Sequence, residues 1–222
     1  MKTEELLKKG LKELNIQYSE NQINAFMSYL SELKKWNKTY NLTALRNDND
    51  IIVKHFLDSL LYLKTLPEGI LKLADAGAGA GFPGIPLKLV RPELDLALIE
   101  SSRKKAAFLR HIIRHLQLKE VNVLEERLER LGKEYENNYD IIVTRATFSI
   151  KDFLTMACPY VKKDGNLILS KGPKVTEELN ESPDNERAVR KILKARLPFE
   201  EAQRNLVVLN CRGASDVGHR PL

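Results

Sequence analysis

Apolar residues recur at helical spacing through the first third of the chain. The first set consists of Leu6, Leu7, Leu11 and Leu14. Ser19 to Gln22 then has the form of a capping box, and the apolar residues behind it keep the helical period: Ile23, Phe26, Met27, Leu30 and Leu33. A third helix is predicted around His55 and Asp58, which would form a local polar pair on one helical face. Residues 1–68 are therefore predicted to form a small helical subdomain.

After residue 69 the pattern changes to short apolar runs that alternate with helical segments. This alternation is typical of a mainly parallel α/β sheet with ligands at the carboxyl ends of its strands. The predicted strands lie near residues 71–75, 94–100, 121–125, 139–144 and 165–170. Leu206 to Leu209 is predicted as an antiparallel C-terminal strand, and Pro173 to Pro198 as a loop leading into a basic helix. Residues 69–222 are thus predicted to form one α/β domain.

A glycine-rich stretch, Asp75 to Gly84, links the first predicted strand to the next helix. The spacing Gly79-x-Gly81-x-x-Gly84 matches a nucleotide-binding turn, in which glycines admit a ligand close to the backbone. The N–H groups at the helix start then face that ligand. Glu100 ends the second predicted strand, where a carboxylate can accept hydrogen bonds from a ribose.

Nicotinamide dehydrogenases and S-adenosylmethionine (AdoMet) methyltransferases both use such a turn, and several details favour AdoMet. Asp75 would repel a pyrophosphate, whereas its carboxylate can orient the amino group of a cationic ligand. Phe82 and Pro83 are bulky where a pyrophosphate-binding turn prefers small residues. A P-loop is excluded because no Gly-Lys-Ser/Thr follows, and no second dinucleotide-binding half supports an oxidoreductase. Asp75 and Gly79 are accordingly predicted to contribute to an AdoMet site.

The charge balance adds a possible class of partner. The chain of 222 residues has 36 Lys and Arg against 30 Asp and Glu, a net charge of +6, which favours an anionic partner without establishing one. The two cysteines and the lack of an apolar run near 18 residues indicate a protein of the reducing cytoplasm without a membrane span. We expect a monomer, and no metal site is predicted.

A serine-initiated amphipathic helix after the second strand carries many of the cations. Its predicted exposed face consists of Arg103, Lys104, Arg110, His111 and Arg114. A solvated charged face is the ordinary interpretation of such a helix, but two histidines among so many cations are unusual for solubility alone. Contact of Arg103, Lys104, Arg110 and Arg114 with RNA and a merely solvated face both remain open.

The residues also limit the acceptor of the methyl group. Cys158 lies before a proline at a predicted helix end and is interpreted as an inert structural thiol, so a cysteine nucleophile for a carbon acceptor is not evident. The strand exit at Arg145 lacks the Asn/Asp-Pro-Pro-aromatic loop used for adenine amino groups. An acceptor with a free lone pair, such as guanine N7, fits this pattern. Arg145 and Lys171 could hold the base edge or flanking phosphates, although Arg145 could equally pair with Glu129.

Several short motifs resemble those of the ribosomal RNA small subunit methyltransferase G family, also called glucose-inhibited division protein B, and they occur along the chain in the same order as in that family. They include Trp36-Asn37-Lys38, Leu57-Asp58-Ser59-Leu60, the Gly77 to Pro86 loop, Lys104-Lys105, Arg145-Ala146 and Lys171-Gly172. The tail after Asn210 departs from the family's basic ending. The resemblance implies a Rossmann-like AdoMet-dependent fold and N7 methylation of one guanine in 16S ribosomal RNA. The RNA could be naked, within the small ribosomal subunit, or in an assembly particle.

The resemblance also implies roles for individual residues. Gly77 and Phe82 would line the cofactor loop, Leu128 and Glu129 would lie at the adenine end, and Arg145 at the active-site mouth. Glu100 matches the acidic ribose position. Arg145 and Lys171 are the predicted catalytic residues, and Lys171 is also predicted to contact RNA. A non-enzymatic RNA-binding protein that keeps a cofactor pocket is the alternative from another functional class.

Overall fold

The computed structural model describes residues 2–145, 148–180, 183–201 and 203–211. The helices are α1 (Thr3–Glu13), α2 (Glu20–Tyr40), α3 (Asp48–Ile51), α4 (Asp58–Leu60), α5 (Gly84–Val90), α6 (Arg103–His115), α7 (Ile150–Ala157), α8 (Val175–Asn180) and α9 (Pro183–Ala188). The strands are β1 (Lys72–Ala76), β2 (Asp95–Ile99), β3 (Val121–Leu124), β4 (Tyr139–Thr144), β5 (Val161–Lys171), β6 (Val189–Arg196) and β7 (Gln203–Leu209). A π-helical turn, Ile52–Leu57, joins α3 to α4, and a 3₁₀ turn, Leu61–Thr65, follows α4. No described helix has the length and apolarity needed to cross a membrane.

The seven strands form one sheet in the order β3-β2-β1-β4-β5-β7-β6. The first five strands along this order are parallel, while β7 is antiparallel to both β5 and β6. The prediction of a mainly parallel sheet with an antiparallel C-terminal strand is confirmed. The order reverses direction at β1, so the exits of β1 and β4 face a common crevice where open α/β sheets bind ligands.

The strand β6 corrects one sequence-based prediction. The end of Pro173 to Pro198 was expected to be a basic helix, but Val189–Arg196 pairs with β7, and α8 and α9 precede it. Lys191 and Lys194 are exposed on this edge strand, whereas Ala195 is buried. Lysines and arginines are good helix formers, but β7, the next strand along the chain, supplies hydrogen-bond partners, and charged side chains suit a sheet edge.

The capping box predicted at the start of α2 is present. Ser19 N–H donates to Gln22 Oε1 at 2.8 Å, and Gln22 N–H donates to Ser19 Oγ at 3.3 Å. The first helices pack on the sheet, because one continuous set of buried apolar residues runs from Leu6 in α1 to Val208 in β7. The division at residues 68 and 69 stays a prediction.

The two faces of the sheet are covered differently. Leu73 of β1 belongs to the core shared with the N-terminal helices, α5 and α6, whereas Ala74 and Ala76 belong to the core beneath α7 and α8. This alternation follows from the two-residue period of a strand. Both faces are therefore buried, as expected for parallel strands.

Cys158 and Cys211 form a disulfide that ties the end of α7 to the residues after β7. Cys158 was interpreted as an inert structural thiol. Its role is structural, but as half of a disulfide rather than as a thiol, because the second cysteine lies beside it in the fold although 53 residues away in sequence. Apart from Cys211, the C-terminal tail that departs from the family pattern lies outside the described residues.

Candidate cofactor and acceptor site

The glycine-rich loop folds as a tight connection between β1 and α5. Gly77, Gly79 and Gly81 all have positive φ, at 71°, 60° and 98°. Glycine is required most clearly at Gly81, where an added Cβ would lie 2.5 Å from Ile85 Cδ1 and 2.7 Å from the Tyr29 hydroxyl. The loop therefore packs closely on α2 and α5 while its other side remains open at the strand exits.

Glu100 holds this loop from the neighbouring strand. Its Oε2 accepts from Gly79 N–H and its Oε1 accepts from Ser102 N–H, both at 2.8 Å. The side chain is buried, yet it lines a cavity beside the loop. Each carboxylate oxygen has a second lone pair, so Glu100 can fix the loop and still accept from a ligand hydroxyl.

Asp75 lies beneath the loop. Its Oδ2 accepts from Gly84 N–H at 2.7 Å at the start of α5, and its Oδ1 is buried with no hydrogen-bond partner among the described residues. Burial raises the pKa of Asp75 to about 7, while the Gly84 hydrogen bond and the positive charge of Arg145 oppose that rise. The contact seen here is structural, and direct contact of Asp75 with a cofactor stays a prediction.

Two cavities meet at Gly77, one on each side of the β1 exit. The first has a volume of about 210 Å³ and is lined partly by Glu100, Leu128 and Glu129. The second, of about 150 Å³, is lined partly by Gly79, Phe82 and Arg145. All of the predicted cofactor residues except Asp75 therefore line one of two adjoining cavities.

Arg145 follows β4 and joins the second cavity to the π-helical turn. Its guanidinium donates to Lys54 O at 3.1 Å and to His55 Nδ1 at 2.7 Å, and lies 3.4 Å from Asp58 Oδ2. The guanidinium carbon is 5.3 Å from the centre of the Phe82 ring. The alternative pairing of Arg145 with Glu129 is wrong, because the N-terminal helices bring Asp58 to it instead.

His55 is neutral in this site. Arginine has no acceptor, so Nδ1 accepts from Arg145, and the imidazole proton lies on Nε2, which is 2.7 Å from Thr43 Oγ1. Burial, together with the charge of Arg145, lowers the pKa of His55 to about 3. The direct His55–Asp58 pair predicted from sequence is replaced by a network in which Arg145 lies between them.

Lys171 lies at the adjacent strand exit but in different surroundings. Its ammonium group donates to Phe148 O at 2.6 Å and to Glu178 Oε1 at 2.8 Å. Glu178 also accepts from Ile150 N–H at the start of α7. Lys171 lines a larger cavity of about 570 Å³ with Lys174. The two predicted catalytic cations thus lie at neighbouring strand ends, each facing its own cavity.

Not every residue of the predicted basic face of α6 is exposed and unpaired. Glu125 accepts from Arg110 at 2.7 Å and lies 3.4 Å from Arg103. His111, expected on the exposed face, is half-buried against Trp36, with ring centres 4.9 Å apart. Lys104 and Arg114 are exposed, in agreement with the predicted face.

Several supporting residues were missed from sequence because their partners are distant along the chain. Tyr29 stacks on Phe82 with ring centres 5.5 Å apart, and its hydroxyl donates to Ala80 O. Tyr62 donates to Thr144 O at 2.5 Å, and Arg204 Nε donates to Asp58 Oδ1 at 2.8 Å. The helical period of α2 could have indicated burial of Tyr29, but no local signal could have indicated the partner of Arg204.

Solved structures share this fold. A SAM-dependent methyltransferase from Aquifex aeolicus aligns with a TM-score of 0.52 and 18% identity over 81% of this chain and 98% of that one. The M. jannaschii TYW2 protein in complex with AdoMet aligns with a TM-score of 0.52 and 16% identity over 69% and 73%. The fold is therefore the Rossmann-like fold of AdoMet-dependent methyltransferases, as the sequence predicted.

The sequence comparisons identify the family within this class. The family model described as rRNA small subunit methyltransferase G matches residues 22–207. A ribosomal RNA small subunit methyltransferase G from Alkaliphilus oremlandii is 37% identical over 94% of this chain and 90% of its own length. One from Geobacter sp. (strain M21) is 38% identical over 92% and 96%. The chain belongs to the rRNA small subunit methyltransferase G family, which confirms the resemblance.

Proposed function

We propose that this chain transfers a methyl group from AdoMet to N7 of a specific guanine in 16S ribosomal RNA. The observation that carries the proposal is the junction at Gly77, where one cavity meets the acidic strand exit at Glu100 and the other meets Arg145. Family membership supports the RNA substrate and the cofactor. The lack of a local general base in the sequence motif supports N7 as the acceptor.

The residues present fit the cofactor. Glu100 has lone pairs for the ribose hydroxyls, and Leu128 and Glu129 line the same cavity at the adenine end. Gly77 and Phe82 border the side that would receive the methionine portion. When bound, AdoMet supplies an activated methyl group on a sulfonium centre, so the protein chiefly has to align the acceptor.

Arg145 is proposed to position the guanine. Its side chain is 19% exposed, so one side of the guanidinium can reach a substrate while the other is fixed by His55 and the Lys54 carbonyl. Guanine presents O6 beside N7, and an arginine donor suits O6. A hydrogen bond to O6 would orient the base and leave the N7 lone pair free to attack the methyl carbon.

Unpaired RNA is the proposed form of the substrate at the target base. Guanine N7 faces the deep major groove of A-form RNA, which side chains cannot read, so the base must lie in a loop or be flipped out. Lys171 and Lys174 line the 570 Å³ cavity beside the next strand exit and are proposed to meet flanking phosphates. Lys104 and Arg114 of α6, with Arg103 and Arg110, would extend this contact as a basic surface.

The cellular setting follows from the substrate. We propose that the protein acts in the cytoplasm as a monomer, on 16S RNA that is naked or within the small ribosomal subunit or an assembly particle. The disulfide between Cys158 and Cys211 lies outside the two cavities that meet at Gly77. Reduction of this disulfide in the cytoplasm would therefore leave the proposed chemistry intact.

The test is transfer of a labelled methyl group from AdoMet to unmodified 16S RNA and to small-subunit particles. We expect label in one guanine, identified as N7-methylguanine by mass spectrometry of nuclease fragments. A heat-treated protein sample and RNA that already carries the modification are the controls. Binding of AdoMet without transfer to either substrate would overturn the proposal in favour of another RNA or a non-catalytic role.

A further inference from the structure

A cluster of possible metal ligands lies between α2 and α6, outside the residues assigned to the cofactor and acceptor. It consists of Glu32, His111 and His115, with one ligand atom from each within 4.8 Å of the others. His111 Nε2 is 2.6 Å from Glu32 Oε2. His111 and His115 are four residues apart on a helix, which directs both imidazoles to the same side.

The donor set is the kind that first-row transition metals prefer. Two imidazole nitrogens and a carboxylate oxygen form three-ligand sites for Zn²⁺, with water in the remaining position. Zinc bonds of about 2.1 Å to each donor require donor atoms about 3.4 Å apart. The present separations, between 2.6 and 4.8 Å, bracket that distance, so side-chain rotations rather than backbone shifts would form the site.

The surroundings orient two of the three ligands. Trp36 packs on the His111 ring, and Ser28 Oγ lies 2.8 Å from His115 Nε2. Lys35 Nζ lies 3.6 Å from Oε1 of Glu32, so the other carboxylate oxygen, Oε2, faces His111.

Access from solvent is also available. The Glu32 and His111 side chains are 13% and 28% exposed, and His115 is exposed. An ion can therefore enter, and water can complete its coordination. The ordinary interpretation is a Glu32–His111 hydrogen bond beside an independent Ser28–His115 contact.

We propose that Glu32, His111 and His115 together bind a divalent transition-metal ion such as Zn²⁺. The ion would bridge α2 of the N-terminal helices to α6 of the sheet domain, and would thereby strengthen the packing of these two elements. The sequence alone predicts no such site, because Glu32 is 79 residues from His111.

The experiment measures Zn²⁺ binding to the intact chain by calorimetry and Co²⁺ binding by its visible absorption. Any free thiols are alkylated first, so that Cys158 and Cys211 cannot contribute. The variants are Glu32→Gln and His115→Ala, and His219→Ala is a matched control for loss of a histidine elsewhere. Circular dichroism verifies that each variant is folded.

We expect one Zn²⁺ per chain and a Co²⁺ spectrum typical of four or five nitrogen and oxygen ligands. Loss of a residue that hydrogen-bonds to a metal ligand commonly costs about 10- to 100-fold in metal affinity. Loss of a direct ligand should therefore weaken binding at least about 100-fold. His219→Ala should bind as the unaltered chain does. Zn²⁺ should also raise the melting temperature of the unaltered chain but not that of His115→Ala.

Equal Zn²⁺ affinity in His115→Ala and the unaltered chain would overturn the proposal, as would the absence of binding to the unaltered chain. If Glu32→Gln fails to fold, His115→Ala alone decides, because His115 is exposed and its loss leaves the contact between Trp36 and the buried Phe108 of α6 in place.

Discussion

The two cavities that meet at Gly77 are built in different ways. On the Glu100 side, the loop is fixed by carboxylate groups that accept from backbone N–H groups of Gly79, Ser102 and Gly84. On the Arg145 side, the network is made mainly of side chains, and it joins the π-helical turn, the end of β4 and the start of β7. The first region is held mainly by contacts to backbone groups of one loop and its neighbouring helix starts, whereas the second depends on three distant segments keeping their relative positions.

This difference has a consequence for function. Perturbing the Glu100 side should change cofactor affinity and loop stability together, because the oxygens that accept from the loop are also those proposed to accept from the cofactor. Perturbing the Arg145 side should change methyl transfer while cofactor affinity stays nearly constant. If variants on either side changed both cofactor affinity and the rate of methyl transfer, the two cavities would act as a single unit.

The largest effect is expected for Arg145→Ala. Removal of the positioning guanidinium should lower the rate of RNA methylation by about 10²- to 10³-fold, as for other lost preorganised donors, while AdoMet affinity stays within about threefold. Single-turnover transfer to 16S RNA and calorimetry of AdoMet binding measure the two quantities. Arg145→Lys is the control for charge, and it should remain impaired because an ammonium group lacks the planar fork that contacts His55 and the Lys54 carbonyl.

Loss of AdoMet binding in Arg145→Ala would mean that Arg145 binds the cofactor rather than the acceptor, and would remove the functional distinction between the two regions. Asp58 keeps its 2.8 Å ion pair with Arg204 in this variant, so the buried carboxylate is not left without a partner. A general loss of stability is therefore not expected, and thermal melting provides the check.

The next effect is expected for Glu100→Gln. The amide keeps the shape of the side chain but has only one acceptor oxygen, so one of the bonds to Gly79 or Ser102 is lost along with the charge. Loss of a charge-assisted hydrogen bond of about 1.5–3 kcal/mol should weaken AdoMet binding roughly 10- to 100-fold. Glu126→Gln is the matched control, because Glu126 lines the same cavity but is exposed. Similar losses in both variants would reduce the role of Glu100 to general electrostatics.

Asp75 should affect folding stability rather than methyl transfer, and the effect should be visible as a pH dependence. Its pKa is raised from 3.8 to about 7 in the folded chain, mainly by burial. The folded state therefore binds more protons than the unfolded state between these values, and stability should fall as pH rises from about 4 to about 7 and then level off. A shift of this size corresponds to about 4 kcal/mol at most. Asp75→Asn should remove this part of the pH dependence.

The measurement for Asp75 is urea unfolding of both chains from pH 4.5 to 8.5. The difference in unfolding free energy between Asp75→Asn and the unaltered chain isolates the contribution of Asp75 from other titrating groups. The variant should gain relative stability as pH rises. A constant difference across the range would mean that Asp75 is ionised throughout and that its buried Oδ1 finds a partner in solution.

The same contrast explains what the sequence could and could not predict. The glycine-rich loop and Glu100 were predictable because strand exits and glycine spacing are local signals, whereas Leu128 and Glu129 were indicated by the family resemblance. The partner of Arg145 was not, since choosing Asp58 over Glu129 requires the packing of the N-terminal helices on the sheet. The helix predicted in place of β6 was wrong for a different reason, because pairing with the next strand, β7, overrides the helix propensity of its lysines and arginines.

The smallest effect is expected on α6, where it distinguishes the two interpretations of the basic face. Lys104 and Arg114 are exposed, whereas Arg110 is neutralised by Glu125 at 2.7 Å. If this face meets RNA, Lys104→Ala and Arg114→Ala should each weaken binding modestly and reduce the slope of log affinity against log salt by about 1. Arg110→Ala should change the slope less, because its charge is already paired. Filter binding of 16S RNA over a range of salt concentrations measures these slopes, and unchanged slopes in all three variants would leave α6 as a solvated face.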